Sequence, residues 1–106
     1  MTSFAPDLLK GQLALVTGAA AGNGRAIALG LAAHGADVVV TDIDRDGVAR
    51  TTNDIAATGR RSWHHHLDVT DVDACRELAQ TVKASAGDIS ILINNAGIII
   101  REGIDS

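Results

Sequence analysis

The chain has 106 residues, 46% of them hydrophobic and 21% charged, with nine basic and thirteen acidic side chains and a net charge of −4. That composition fits one ordinary folded domain and excludes a fibrous or disordered chain. The acidic balance argues against a nucleic-acid partner, which calls for a basic patch, and no apolar run approaches the roughly 18 residues of a membrane span.

Met1 to Leu9, which holds the sole proline, Pro6, reads as an extended lead-in segment. It carries Asp7 and lacks a long apolar core, so it does not read as a signal peptide, and a cytoplasmic setting is expected. Gln12 to Thr17 (QLALVT) is a short apolar run ending at glycines, the pattern of a buried strand. Asn23 to His34 follows as a helix, with Ile27 and Leu31 four apart and Ala26, Leu29 and Ala33 alongside. Gly35 stands just past its end, where a left-handed cap is usual. Ala36 to Thr41 (ADVVVT) is the second strand. Asp44 can cap a second helix that runs to about Thr58, stops at Gly59, and turns Val48, Thr52 and Ile55 inward.

Arg61 to Leu67 is the third strand, though three histidines interrupt it. Thr70 then caps a third helix, and Thr70 with Asp73 approximates a capping box. Val72, Cys75, Leu78, Ala79 and Val82 fall on one face of that helix, and Gly87 closes it. Ile89 to Ile93 (ISILI) is the fourth strand, followed by Asn94-Asn95-Ala96-Gly97. Strands alternating with helices of this length imply parallel pairing through right-handed crossovers. The expected fold class is α/β, a Rossmann-like doubly wound parallel sheet, truncated after its fourth strand.

Three further features carry less. On a strand, His64 and His66 share a face and His65 points away; two imidazoles on one face lack a third ligand, so no metal site is assigned. Cys75, the only cysteine, cannot form a disulfide within the chain and reads as a small core residue. Trp63 is expected to pack near the start of the third strand.

The chemistry concentrates at strand ends. Thr17 to Gly24 reads TGAAAGNG, between the first strand and the first helix. Gly18 allows the sharp exit, Gly22 lets the backbone approach a ligand, and Gly24 lets the helix lie close to the sheet. The helix N-terminus beyond suits a pyrophosphate. The same glycines could serve a tight turn alone. Asp42 ends the second strand, about twenty residues on, where a carboxylate binds the hydroxyls of an adenosine ribose and repels a 2′-phosphate. Arg25 and Arg45 lie near it in sequence. The choice is NAD over NADP, although Asp42 could also merely open a turn with Asp44 and Asp46.

TGAAAGNG, Asp68-Val69 after the third strand, and NNAG at 94–97 together resemble the short-chain dehydrogenase/reductase family, in the right order and across nearly the whole chain. Asn23 departs from the isoleucine or leucine usual before the last glycine. The resemblance implies that Gly18, Gly22, Asn23 and Gly24 line the pyrophosphate and neighbouring ribose. It implies that Asp42 holds the adenosine ribose with Ile43 beside the adenine, that Asp68 accepts from the adenine amino group, and that Val69 packs on the ring. Asn95, Ala96 and Gly97 would run along the cofactor, while Asn94 would tie the central strands together. Read without the resemblance, Asp68 could simply cap the third helix and NNAG could be a turn.

The resemblance also implies hydride transfer between nicotinamide and an alcohol or ketone, by an asparagine, a serine and a YxxxK pair found later in such chains. This chain has no tyrosine, so no catalytic residue is assigned, and it looks like the N-terminal, cofactor-binding part of a longer enzyme. A second reading is a non-catalytic dinucleotide-binding module or fragment. A third is a methyltransferase, against which NNAG and Thr17 argue. An unpaired far edge of the fourth strand, beside the apolar Ile98 to Ile100, leads to the expectation of self-association.

Overall fold

The computed structural model describes residues 7–96; Gly97, the apolar Ile98 to Ile100 and most of the lead-in segment lie outside them. The elements follow in strict alternation: β1 (Leu13–Thr17), α1 (Gly22–Ala33), β2 (Asp37–Asp42), α2 (Arg45–Ala56), β3 (Ser62–His66), α3 (Val72–Ser85) and β4 (Ile91–Asn94). All strand pairs are parallel, in the spatial order β3-β2-β1-β4. The expected Rossmann-like α/β sheet is therefore present. The order reverses at β1, which has β2 on one side and β4 on the other, and β1 and β4 pair up to Thr17 and Asn94 at their C-terminal ends. Among the described residues no strand pairs with the far edge of β4.

The sheet is covered on both faces, as parallel strands require. Val16, Val38 and Val40 pack with Ala28 and Ala32 of α1 and Val48 and Ile55 of α2. Leu13, Leu15 and Val39 point the other way and pack with Cys75, Leu78 and Val82 of α3. Every side chain of β1 is buried, which explains why its sequence is apolar from Leu13 to Val16 instead of alternating.

The inward face of α1 differs from the one expected. Ile27 and Leu31 are only half-buried, and Ala26 and Ala33 are exposed. The buried stripe is Gly24, Ala28 and Ala32, residues four apart with almost no side chain. Small residues let the helix axis come close to the sheet, which pushes the larger ones to the flanks. The face of α2 matches expectation and also buries Gly47 and Thr51. On α3, Cys75, Leu78 and Val82 are buried, while Val72 and Ala79 are half-buried.

The caps also sort themselves out. Asp44 caps α2, accepting from the Gly47 amide at 3.0 Å. The cap of α3 is Asp71, not Thr70: Asp71 accepts from the Ala74 amide at 3.0 Å, whereas the Thr70 hydroxyl is spent on Asp68. Gly35, Gly59 and Gly87 close the helices with φ of 103°, 93° and 113°. The fourth strand begins two residues later than expected. Ser90 puts its hydroxyl, not its carbonyl, on the Leu13 amide at 3.0 Å, so regular pairing starts at Ile91. On β3, His64 and His66 are exposed and His65 is half-buried on the face shared with Trp63.

Candidate cofactor site

The site forms where β1 and β4 part. Thr17, the last residue of β1, is fully buried, and its hydroxyl accepts from the amides of Asn95 at 3.0 Å and Ala96 at 3.2 Å. The same hydroxyl donates toward the side-chain oxygen of Asn94 at 3.2 Å. One oxygen thus ties the end of β4 to the end of β1, with Asn94 in the structural role expected of it. Sequence reasoning gave the Thr17 hydroxyl no bonding role.

Gly18 then turns the chain with φ of +64°, a conformation glycine reaches without strain. A Cβ there would stand 3.2 Å from the Ala96 amide, so the turn lies in contact with Asn95 and Ala96. The Asn95 side-chain amide donates to the Gly18 carbonyl at 3.3 Å. Gly24 lies beneath the same carbonyl and has no space for a side chain. Its role is packing, while Gly22 and Asn23 stand exposed at the head of α1.

The start of α1 differs from the other two helices. Asp44 and Asp71 cap α2 and α3, but Ala21 at the head of α1 offers no side-chain hydrogen bond, and no acidic residue occupies its first turn. Its first amides and its positive dipole end thus lack a side-chain cap.

Asp42, at the end of β2, accepts from the Ala20 amide at 3.0 Å through one oxygen and from the Asp44 amide at 3.1 Å through the other. Each oxygen keeps a lone pair for a further donor. Arg25 points elsewhere. Its guanidinium bonds the Thr51 hydroxyl at 3.0 Å and pairs with Asp54. Of the two basic residues near Asp42 in sequence, that leaves Arg45, exposed at the first turn of α2.

Past β3, Asp68 accepts from the Thr70 hydroxyl at 2.6 Å and the Thr70 amide at 3.0 Å. The Thr70 hydroxyl first, then its amide, holds the Asp68 carboxyl below its ordinary value, helped slightly by His66. Asp68 is therefore an ionised acceptor near neutral pH. Cys75 lies behind it, with its thiol near the Val69 carbonyl at 3.8 Å. Burial above all, then the charges of Asp71 and Asp68, push that thiol up, so it stays protonated and serves as packing.

A cleft of about 360 Å³ is lined by Gly18, Asp42, Ile43, Leu67, Asp68, Val69, Thr70 and Ala96. That is the lower end of the roughly 300–1,000 Å³ of small-molecule sites. Six of the residues singled out in the sequence meet there: Gly18, Asp42, Ile43, Asp68, Val69 and Ala96. Gly22, Asn23, Gly24 and Asn95 border the turn but do not line the cleft, and Gly97 lies outside the described residues. Leu67 and Thr70 line it unanticipated. The spacing Asp68-x-Thr70, which favours a side-chain-to-backbone turn, could have flagged Thr70.

The arrangement fits a dinucleotide on its own terms. It combines an apolar cleft with carboxylates at two of its walls, a glycine turn free of side chains, and an uncapped helix end. The profile described as short chain dehydrogenase matches residues 12–106. The chain is 44% identical to 1-deoxy-11-beta-hydroxypentalenate dehydrogenase of Streptomyces avermitilis over 91 residues, which is 86% of this chain and 34% of that relative. A short chain dehydrogenase of Shigella flexneri 2a, solved in complex with NADP, superposes with a TM-score of 0.82 at 30% identity, over 89% of this chain and 41% of that one. A hydroxysteroid dehydrogenase from Escherichia coli does so with a TM-score of 0.80 at 37% identity, over 85% of this chain and 38% of that one.

Proposed function

The chain belongs to the short-chain dehydrogenase family, and from that premise we propose that residues 1–106 are the N-terminal, dinucleotide-binding part of an oxidoreductase that uses NAD(H) in preference to NADP(H). The substrate class is an alcohol or ketone. When bound, the nicotinamide carries the hydride; no residue of this chain is assigned to the transfer. Gly18, Gly22, Asn23 and the head of α1 would receive the pyrophosphate. Asp68, Val69 and Ile43 would surround the adenine, and Asn95, Ala96 and Gly97 would follow the cofactor toward its reactive end.

The observation that carries the NAD preference is Asp42 at the cleft wall. Its carboxylate would accept from ribose hydroxyls and repel a 2′-phosphate. Arg25, held by Thr51 and Asp54, offers that phosphate no counter-charge. The NADP bound to the Shigella relative means that fold likeness alone does not choose between the two cofactors, so the proposed preference rests on the carboxylate of Asp42. The test is titration of the purified chain with NADH and NADPH, read by nicotinamide or Trp63 fluorescence. Saturable NADH binding tighter than NADPH supports the reading, and equal or reversed affinities overturn the preference.

A second reading, a non-catalytic dinucleotide-binding module, is favoured by the absence of tyrosine from the chain. Turnover of an alcohol by a longer version of the chain separates the two. The single cysteine, buried and unpaired with another, suits a cytoplasmic setting. The edge of β4 that no strand pairs with among the described residues supports self-association with a second copy. Sedimentation at rising concentration tests that, and a monomer throughout counts against it.

A further inference from the structure

The glycine turn is held from behind by α2. Thr51 is fully buried, and its hydroxyl donates to the Ala19 carbonyl at 3.0 Å. The Arg25 guanidinium donates into that hydroxyl at 3.0 Å and is itself fixed by Asp54, three residues further along α2. With its acceptor side occupied, the Thr51 proton is directed at Ala19. One turn earlier on the same face, Gly47 touches Ala20: a Cβ at 47 would collide with the Ala20 methyl and come 2.6 Å from an Asp44 carboxylate oxygen.

The peptide between Ala19 and Ala20 is one rigid plane. Its carbonyl goes to Thr51 and its N–H goes to Asp42. The two bonds point in opposite directions, so Thr51 decides which way the plane faces. If the plane flipped, the Ala19 oxygen would face the Asp42 carboxylate and the N–H would leave it.

We propose that Thr51, seated by Gly47, is a positioning residue that locks the Ala19–Ala20 peptide so that its N–H orients Asp42 for the ribose of the dinucleotide. The positioning is a property of the chain alone; its effect on affinity rests on the function proposed above. Thr51 touches no cofactor atom and acts through Asp42.

The experiment pairs amide hydrogen exchange of the free chain with NADH titration. In Thr51→Val, the Ala20 amide should exchange about tenfold faster and the NADH Kd should rise about tenfold, the loss of roughly one buried hydrogen bond. Amides of Val39 and Val82 should change only with global stability, read by urea unfolding, and by less than the Ala20 amide. Thr51→Ser, which retains the hydroxyl, should stay within about twofold of wild type in both readouts. An Ala20 amide in Thr51→Val that exchanges as in wild type overturns the proposal. Should Thr51→Val fail to fold, Thr51→Ala, which also removes the hydroxyl, decides by the same readouts. The Ala20 amide should quicken in it and stay near its wild-type rate in Thr51→Ser, and no difference between the two overturns the proposal. A folded wild type that binds neither NADH nor NADPH removes the affinity claim together with the proposed function, while the exchange rates still decide the positioning.

Discussion

Gly24 lies directly against the carbonyl of Gly18. A Cβ at position 24 would collide with that oxygen and stand 2.7 Å from the side-chain nitrogen of Asn95. The contact joins the start of α1, the exit of β1 and the segment after β4 at one point. Gly24→Ala should therefore cost about 1–3 kcal/mol through overpacking and weaken NADH binding with it. Gly30 lies on the same helix, and a Cβ there would meet nothing within 4 Å. Gly30→Ala should gain about 0.5–1 kcal/mol by helix propensity. Urea unfolding of the two variants measures the contrast, and similar effects would refute the packing role.

Asp42 supplies two acceptor oxygens at the cleft wall, each already holding a backbone amide. Asp42→Ala should raise the NADH Kd at least tenfold, the scale of a charged hydrogen bond. It should raise the NADPH Kd less, because a repulsion is removed at the same time. Parallel fluorescence titrations read the ratio. An unchanged ratio would mean that Asp42 does not select the cofactor.

The hydroxyl of Thr17 accepts two amides from the segment after β4. Thr17→Val keeps the shape and leaves those amides without their acceptor, a cost of about 1–3 kcal/mol. Hydrogen exchange at Asn95 and Ala96 should quicken, while exchange in α2 should change only with global stability. Protection unaltered at both amides would show the bonds to be dispensable.

Asp71 and Thr70 are adjacent but do different work. Asp71→Ala removes the cap of α3 and should cost about 0.5–2 kcal/mol. Thr70→Val leaves the cap intact and removes the first cause of the lowered Asp68 pKa, which should move back up toward its ordinary value. Carboxyl NMR titration of Asp68 and thermal melts of both variants distinguish these outcomes.

His65 is half-buried, and burial first, then the neighbouring His64 charge, pull its pKa below 6.5. The unfolded chain therefore takes up a proton near pH 6.5 that the folded chain resists. The stability linked to His65 is present above that pH and is lost as pH falls below it, down through the lowered folded value. Melting temperature should decline with acid in wild type, and His65→Gln should flatten that decline. Parallel curves for the two proteins would clear His65 of the effect.

Much of the fold and the cleft is readable from residue order. Valine-rich β2 and apolar β1, each closed by glycine or aspartate, announce buried parallel strands, and Gly18, Asp42 and Asp68-Val69 converge on one cleft. Where residue order misleads, the reasons are physical. In α1 the larger side chains suggest the core face, but close approach to the sheet selects Gly24, Ala28 and Ala32. At α3, Thr70 and Asp71 can each cap, and only the backbone path, with Asp68 claiming the Thr70 hydroxyl, decides. Thr51 gives no local signal at all, because its partner Ala19 lies 32 positions away. A threonine inside a helix looks alike whether its hydroxyl meets water or a turn.

The spatial order β3-β2-β1-β4 also has a temporal meaning. Thr17 meets Asn94 across 77 positions, and β1 has its second neighbour only once β4 exists. A chain emerging from the ribosome would have β1, α1, β2 and α2 available long before Ile91. The glycine turn could be braced early by Thr41, Asp42 and Thr51, but its far wall would arrive last. Closing so long a stretch of chain carries a large entropic cost before any contact rewards it. The β1–β4 junction is therefore expected to be the late step of folding, and the capacity to hold a ligand to emerge only as synthesis passes Ala96.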